Sequence, residues 1–285
     1  MVIKTVGVIG LGTMGSGIIQ ICAEAGYQVK VLARKEESIK KGKGSIEKFL
    51  NRGIEKGKVT VEHKEAVLAK ILWTLDKKDF ADCDLIIDAA AEDMELKKKM
   101  FTEMEEIVGE HTIFGTNTSS LSIVEMAAAT KRADKVIGIH FFNPAQIMKL
   151  VEIVKTIVVS EETVEITKNF VDSLGKTIIY AKDYPGFIVN YLQYPLRLHA
   201  IRMVEQGLAT AEDIDKAAKL GLGHPMGPLE LQDMVGLDIT YNACSAIYEE
   251  TKDPKFAPPI LMKKMIAAGK LGRKTGEGFY KYEKK

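Results

Sequence analysis

The feature that most constrains the fold is a group of three closely spaced glycines between a predicted strand and a predicted helix. Residues 2–9 are rich in β-branched residues and apolar nearly throughout, which indicates a strand buried on both faces. The segment Gly10-Leu11-Gly12-Thr13-Met14-Gly15 follows, and a helical pattern then runs to about Ala25. Gly26 ends that helix, and Val29–Ala33 is typical of a second strand. This stretch therefore predicts a βαβ unit.

The spacing of the glycines is that of a dinucleotide-binding loop. Gly10 permits a tight turn, Gly12 lets the backbone approach a pyrophosphate, and Gly15 allows the helix to pack closely on the strand. The helix that begins with Thr13 and Met14 presents N–H groups and a partial positive charge to the phosphates. We therefore expect these residues to bind a dinucleotide, and the alternative is a plain glycine-rich turn.

The end of the second strand bears on which dinucleotide binds. An acidic residue about 20 positions after such a loop usually bonds the adenosine ribose. Here the strand ends Leu32-Ala33-Arg34-Lys35, so an alanine and two cations stand there instead. Because a guanidinium can hold a 2′-phosphate by paired, charge-assisted bonds, the sequence favours NADP(H). NAD(H) stays open if the two cations are solvated and Glu36 or Glu37 serves the ribose.

The pattern of predicted elements changes near residue 183. Up to that point strand and helix patterns alternate, which predicts an α/β, Rossmann-like, doubly wound and mostly parallel sheet. Ser122 followed by Glu125 has the spacing of a capping box at the start of one of the helices. Beyond that point only helical patterns occur, at 187–206, 211–220, 228–250 and 259–268. We predict a dinucleotide-binding domain over 1–182, a linker over 183–188 and an all-α domain over 189–285.

Composition and spacing argue against several classes of protein. Lys and Arg total 40 against 39 Asp and Glu, so the chain lacks the basic excess of a general nucleic-acid binder. The three cysteines are far apart and the five histidines have no HExxH spacing, which argues against disulfides and a metal site. No apolar stretch approaches the roughly 18 to 20 residues that span a bilayer. We expect a cytoplasmic protein that uses no metal and binds neither nucleic acid nor membrane.

Polar residues cluster between 115 and 152, after two predicted strands. Asn117-Thr118-Ser119-Ser120 follows one strand, and His140-Phe141-Phe142-Asn143-Pro144 lies at the end of another. Ligands of open α/β sheets bind outside the carboxyl ends of the strands, so both segments should face the cofactor. Glu152 lies twelve residues past His140 within an apolar run, where a carboxylate needs a partner. A histidine is a suitable partner, although on composition alone His140 could equally be a core residue.

Taken together, these motifs resemble the short-chain L-3-hydroxyacyl-CoA dehydrogenases, and within them the bacterial 3-hydroxybutyryl-CoA dehydrogenases. The likeness covers nearly the whole chain and includes the glycine loop. The other shared motifs are, in chain order, Asn117-Thr118-Ser119-Ser120-Leu121, His140-Phe141-Phe142-Asn143-Pro144, Met148-Lys149-Leu150-Val151-Glu152, Pro185-Gly186-Phe187-Ile188-Val189-Asn190, Gly223-His224-Pro225-Met226-Gly227-Pro228 and Lys274-Thr275-Gly276-Glu277-Gly278-Phe279-Tyr280.

The resemblance implies an oxidoreductase that interconverts (S)-3-hydroxybutyryl-CoA and acetoacetyl-CoA by hydride transfer with a nicotinamide dinucleotide. It implies that His140 is the general acid/base and that Glu152 orients it, with Ser119 and Asn190 completing the catalytic group. Histidine suits that proton exchange because its ordinary pKa is about 6.5. It also implies a homodimer formed through the helical domain. The family's usual ribose-binding Asp is Ala33 here, and Tyr191 stands where the family usually has Arg.

The resemblance also assigns binding residues and leaves two other functions open. The implied cofactor contacts are Glu92, Lys97, Asn117, Ser119, Asn143 and Lys274, and the implied substrate contacts are Ser119, Lys56, Asn143 and Asn190. The cation-rich region 40–58 has the charge to meet the phosphates of CoA. The alternatives are a dehydrogenase of a free hydroxy acid or sugar acid, and a dinucleotide-binding protein without catalysis.

Overall fold

The computed structural model describes residues 1–283, and the chain divides into two compact units. The first unit is Met1–Tyr184 and the second begins at Pro185. All strands of the described residues lie in the first unit, and the second is helical. Within residues 1–283, no helix combines the length and apolarity that a membrane crossing requires.

The first unit is built on one sheet of eight strands in the order β3-β2-β1-β4-β5-β6-β7-β8. Neighbouring strands are parallel except for β6 and β7, which are antiparallel. The predicted Rossmann-like, mostly parallel sheet is thereby confirmed. The strands are β1 Thr5–Ile9, β2 Gln28–Leu32, β3 Ile71–Thr74, β4 Leu85–Asp88, β5 Ile113–Thr116, β6 Val136–Phe141, β7 Leu150–Lys155 and β8 Thr177–Lys182.

Six α-helices connect and flank these strands. They are α1 Thr13–Glu24, α2 Glu36–Glu55, α3 Val61–Leu68, α4 Met94–Glu105, α5 Ile123–Ala128 and α6 Glu161–Ser173. The continuous apolar runs of the central strands are buried, as in Val6 and Val8 of β1 and Leu85 and Ile87 of β4. A strand covered on both faces exposes no side chain to solvent. The apolar residues of these strands therefore do not alternate with polar ones.

Helix α5 begins in a way that the sequence did not indicate. Ser122 is its N-cap residue, but its side chain makes no capping hydrogen bond, so the predicted capping box is wrong. The carboxylate of Asp183 instead accepts hydrogen bonds from the N–H groups of Ile123 (3.1 Å) and Val124 (2.7 Å). Glu125 points to Lys98 at 3.3 Å. An ionised carboxylate with two oxygens satisfies two helix N–H groups, whereas a hydroxyl satisfies one.

Up to residue 283, the second unit packs five α-helices around their own apolar core. They are α7 Val189–Glu205, α8 Ala211–Gly221, α9 Pro228–Val235, α10 Leu237–Thr251 and α11 Ile260–Ala267. The single helix predicted over 228–250 is wrong, because the chain breaks at Gly236, whose φ is 105°. The next N–H, that of Leu237, bonds to the carbonyl of Leu271 at 3.2 Å instead of continuing α9. A tertiary contact therefore divides one helical pattern into two helices.

Two buried carboxylates, Asp215 and Asp233, hold the glycine-containing motif Lys274–Tyr280 of the second unit. Asp233 accepts bonds from the N–H groups of Phe279 and Tyr280, and Asp215 accepts one from the Tyr280 hydroxyl. A Cβ on Gly278 would lie 2.1 Å from an Asp233 oxygen, so only glycine fits beside that carboxylate. Contacts within the second unit thus explain why the Lys274–Tyr280 motif needs its glycine at position 278.

Candidate active site

The carboxyl ends of β1, β4, β5 and β6 lie at the same edge of the sheet, since these strands are parallel. Backbone hydrogen bonds join the first three ends: Ala89 N–H donates to Ile9 O (2.8 Å), and Asn117 N–H donates to Asp88 O (2.8 Å). The sheet order reverses between β1 and β4, which is where ligands of such sheets bind. The glycine loop and the cluster around His140 therefore occupy one edge.

The glycine loop has the shape that a pyrophosphate requires. Gly10 has a φ of 109°, and a Cβ on Gly15 would lie 1.9 Å from the Gly10 carbonyl oxygen. A Cβ on Gly12, by contrast, would meet nothing within 4 Å, so this residue is open to a ligand. Gly12 is also the N-cap of α1, where neither a capping side chain nor a first-turn acid competes for the helix N–H groups. These features fit a bound phosphate, which such N–H groups attract.

At the end of β2 the structure places a buried alanine and two exposed cations. Ala33 is buried, and its N–H bonds to the carbonyl of Thr74 at 3.0 Å. Lys35 pairs with Glu37 at 2.7 Å. Arg34 is exposed and forms no ion pair within the described part of the chain. The guanidinium is therefore available to an anion at this position.

His140 and Glu152 face each other across the antiparallel pair of strands. They are direct partners in the register of β6 and β7, so their side chains lie on the same face of the sheet. Nδ1 of His140 lies 2.6 Å from Oε2 of Glu152, and both side chains are buried. An ionised carboxylate only accepts, so opposite an ionised Glu152 it is Nδ1 that donates in this bond. The ring is thereby fixed in one orientation, and Phe142 packs beside it at 4.6 Å between ring centroids.

The loop that follows β5 is held next to His140 by its own Asn117 and by Glu92, which lies between β4 and α4. Oδ1 of Asn117 accepts the N–H of Phe141, the residue after His140, at 2.9 Å. Glu92 accepts the N–H of Ser119 at 2.9 Å and the hydroxyl of Thr118 at 2.5 Å. The half-buried Ser119 therefore has a defined position at the same edge as the histidine.

A buried ion pair that the sequence prediction missed underlies this loop. Asp88, at the end of β4, is fully buried and receives bonds from Lys97 Nζ (2.6 Å), Thr116 Oγ1 (2.9 Å) and Ala90 N–H (2.9 Å). Lys97 is 1% exposed and also lies 3.6 Å from Glu92. A carboxylate at the end of an apolar strand requires a partner, and that signal was present in the sequence.

A second lysine braces the segment that follows β6. Lys176 donates to the carbonyls of Ala145 (2.6 Å) and Met148 (2.9 Å), and its burial lowers the pKa of its ammonium group. The segment begins with a cis peptide bond between Asn143 and Pro144, and Asn143 is exposed. The backbone after the histidine strand is therefore anchored to the start of β8.

The remaining predicted residues lie on other elements. Lys56 is exposed at the end of α2, which carries further exposed cations: Lys40, Lys41, Lys43, Lys48 and Arg52. None of them forms an ion pair within residues 1–283. Asn190 and Lys274 belong to the second unit, where Asn190 accepts a bond from Gln193 (2.9 Å) and Lys274 pairs with Asp238 (2.6 Å). Among the residues described, no group of three or more His, Cys, Asp or Glu side chains is arranged to hold a metal.

The sequence matches two models of one protein family. Residues 5–184 match the 3-hydroxyacyl-CoA dehydrogenase NAD binding domain, and residues 186–282 match the 3-hydroxyacyl-CoA dehydrogenase C-terminal domain. The two matches meet where the chain divides into its two units.

Individual proteins are similar over nearly the whole length. A 3-hydroxybutyryl-CoA dehydrogenase of Mycobacterium tuberculosis is 44% identical over 282 residues, which cover 98% of this chain and 99% of that protein. One from Clostridioides difficile is 43% identical over 97% of this chain and 99% of that protein. Among solved structures, an (S)-3-hydroxybutyryl-CoA dehydrogenase from Ralstonia eutropha superposes with a TM-score of 0.95 at 43% identity, covering 99% of this chain and all of that one.

Proposed function

The chain belongs to the 3-hydroxyacyl-CoA dehydrogenase family, and on that premise we propose that it interconverts (S)-3-hydroxybutyryl-CoA and acetoacetyl-CoA. The observation that carries the proposal is the buried His140–Glu152 pair at the sheet edge that also holds the glycine loop. An acid/base group beside a dinucleotide site is the minimum that oxidation of a secondary alcohol requires, because a hydride and a proton must leave together.

We assign the proton transfer to Nε2 of His140, the ring nitrogen on the far side from Glu152. When bound, the nicotinamide ring accepts or supplies the hydride. In the oxidising direction Nε2 takes the proton of the 3-hydroxyl group, and in the reducing direction it returns that proton to the 3-oxygen. Glu152 keeps the ring oriented through Nδ1 and stabilises the imidazolium, as the acid does in other His–carboxylate pairs. Such proton transfer typically contributes about 10²- to 10⁴-fold to the rate.

Ser119 is assigned to bind the oxygen or thioester of the substrate from the loop after β5. Its position next to the histidine strand supports this role, since Asn117 bonds the backbone directly after His140. The parts assigned to Asn190, Asn143 and Lys274 rest on the family resemblance alone and stay predictions.

We propose a preference for NADP(H) over NAD(H). The support is the exposed Arg34 without an ion-pair partner in the described residues, next to Ala33 where the family usually has an acid. A 2′-phosphate would gain charge-assisted bonds from the guanidinium and would meet no repelling carboxylate at position 33.

The CoA moiety is assigned to the exposed cations of α2 and to Lys56, which directly follows that helix. Exposed cations that form no ion pair within residues 1–283 raise the local concentration of a ligand carrying several phosphates. A free hydroxy acid has no phosphates, so these cations favour the CoA ester over a free acid.

A homodimer formed through the helical unit is proposed as well. Leu192 and Leu196 lie one turn apart on α7 and are 71% and 38% exposed. Apolar side chains on one helix face are typical of interfaces. Analytical ultracentrifugation should give twice the chain mass, and Leu192→Glu should shift the protein to monomer; a monomeric wild type would refute the interface.

The proposal is tested by following NADPH and NADH consumption with acetoacetyl-CoA and with free acetoacetate. We expect turnover of the CoA ester, with NADPH as the better reductant. Arg34→Asp should lower the NADPH-to-NADH ratio of kcat/KM by about 10- to 150-fold, because it removes a charge-assisted bond and adds repulsion. Lys263→Asp, an equal charge reversal on an exposed residue of α11, is the control and should leave that ratio unchanged.

Each part of the proposal has its own contradicting result. Turnover of free acetoacetate without the CoA ester would favour a free-acid dehydrogenase. Dinucleotide binding without turnover of either substrate would favour a binding protein. An unaltered cofactor ratio in Arg34→Asp would refute the role of Arg34.

A further inference from the structure

We propose that Asp88 is a positioning residue, which acts through Lys97 and Glu92 on the loop that carries Ser119. This inference rests on the proposed function for the role of Ser119. Asp88 lies nine residues before Lys97 in the sequence. It belongs to none of the motifs that carry the family resemblance. The argument depends on a continuous line of polar contacts from the core of the sheet to the surface of the loop.

Asp88 is the fixed end of that line. Its carboxylate is fully buried, and both oxygens are engaged: Oδ1 accepts the N–H of Ala90, while Oδ2 accepts Lys97 Nζ and Thr116 Oγ1. The bonds to Ala90 and Thr116 tie it to the ends of β4 and β5. Its place is therefore set by the sheet and does not depend on the loop.

Lys97 transmits that position to Glu92. Its ammonium group lies 2.6 Å from Asp88 and 3.6 Å from Glu92, and its side chain is 1% exposed. Because separating this buried ammonium group from Asp88 would be costly, its positive charge stays at a fixed position, from which it attracts the partly exposed carboxylate of Glu92. Glu92 itself is 38% exposed, and within residues 1–283 Lys97 is its one ion-pair partner.

Glu92 in turn organises the loop. One of its oxygens, Oε1, accepts the N–H of Ser119 (2.9 Å), the hydroxyl of Thr118 (2.5 Å) and the hydroxyl of Ser120 (3.2 Å). The Thr118 hydroxyl oxygen then accepts the N–H of Leu121 at 3.0 Å. A shift of Glu92 would release several loop bonds together and move Ser119 relative to His140.

A displaced Ser119 should impair the alignment of the bound substrate more than the affinity for it. Misplacement of a substrate-orienting group by about 1 Å can cost about 100-fold in rate. The phosphates of CoA, assigned to α2, are bound elsewhere on the unit. Loss of the Asp88–Lys97 pair should therefore lower kcat more than it raises KM for acetoacetyl-CoA.

The test compares Asp88→Asn, Lys97→Met and the double variant with the wild type. Lys98→Met is the matched control, because Lys98 is the adjacent lysine of α4 and, in the described part of the chain, forms ion pairs with Glu95 and Glu125 but not with Asp88 or Glu92. Residue-resolved hydrogen exchange of the free protein reports the loop bonds at the amides of Ser119 and Leu121, with helix α6 as internal reference. Steady-state kinetics supply kcat and KM, and thermal unfolding supplies Tm.

We expect faster exchange at Ser119 and Leu121, and a kcat about 10- to 100-fold lower, in both single variants and in the double variant. KM for acetoacetyl-CoA should change less than threefold. The double variant should regain part of the Tm lost by the single ones, since it leaves no unpaired charge. Lys98→Met should match the wild type throughout.

Two results would overturn the inference. Loop exchange that is unchanged in Asp88→Asn would show that Glu92 holds the loop without the ion pair. Recovery of kcat together with Tm in the double variant would show that the pair serves stability only. A wild type that fails to turn over acetoacetyl-CoA would refute the proposed function, while the exchange measurement would still decide the role of Asp88.

Discussion

Replacing Gly12 with alanine should weaken dinucleotide binding and leave the fold intact. In the protein without ligand, a Cβ at this position meets no heavy atom within 4 Å, and its φ of −74° suits any residue. The added methyl group therefore causes no steric conflict inside the protein. Alanine is a poorer N-cap residue than glycine, which lowers stability slightly, and it reduces the conformational entropy of the unfolded chain, which raises stability slightly. The free energy of unfolding should therefore change by no more than about 1 kcal/mol.

The same methyl group stands where we place the pyrophosphate. Forcing an extra methyl group into a close-packed contact costs about 1–3 kcal/mol. That range corresponds to a roughly 5- to 150-fold weaker Kd for the dinucleotide. The change in Tm should stay below about 4 °C.

The assay is titration calorimetry of Gly12→Ala with NADPH and NADH, alongside thermal unfolding. Gly221→Ala is the matched control, because that glycine also has open space around it and ends a helix of the second unit. The control should bind both dinucleotides as the wild type does. A Gly12→Ala protein with wild-type affinity would refute the placement of the phosphates, and a Tm lower by 10 °C or more, beyond the roughly 4 °C expected, would refute the packing argument.

Three further predictions concern stability and reactivity. Gly15→Ala should lower Tm by at least about 5 °C, since its Cβ would lie 1.9 Å from the Gly10 carbonyl oxygen; an unchanged Tm would contradict that packing. Burial raises the pKa of Asp183, so the wild type should gain stability relative to Asp183→Asn as the pH falls through that raised pKa toward the ordinary range of an aspartate. The opposite trend in thermal unfolding would show that its hydrogen bonds outweigh its desolvation. Burial also raises the thiol pKa values, to about 12 at two of the three cysteines, so a thiol reagent at pH 8 should label the native protein far more slowly than the urea-unfolded protein at Cys22, Cys83 and Cys244.

The sequence was most informative where periodicity and local chemistry determine the structure. The apolar run of β1 and the glycines after it predicted the βαβ unit, because both are short-range constraints on the backbone. The apolar run around Glu152 indicated that this carboxylate needs a partner, and His140 was a suitable one. Their contact at 2.6 Å depends on the antiparallel pairing of β6 and β7.

The features that the sequence did not reveal depend on residues distant in the chain. Helix α5 is capped by Asp183, about 60 residues away, and no local pattern can show that competition with Ser122. The break at Gly236 depends on a bond to the carbonyl of Leu271. The resemblance implied a cofactor contact for Lys97, and no local pattern showed that this lysine is buried in an ion pair with Asp88 at the end of β4.

The role of the buried imidazole is tested most directly by the kcat of His140→Gln in the reduction of acetoacetyl-CoA, measured with dinucleotide affinity on the same protein. The matched control is His63→Gln, which alters an exposed histidine of α3. We expect kcat to fall by about 10²- to 10⁴-fold while the Kd for the dinucleotide changes less than threefold, and the control to match the wild type. A His140→Gln protein that keeps more than one-tenth of the wild-type kcat, against that expected loss, would contradict the proposed acid/base chemistry.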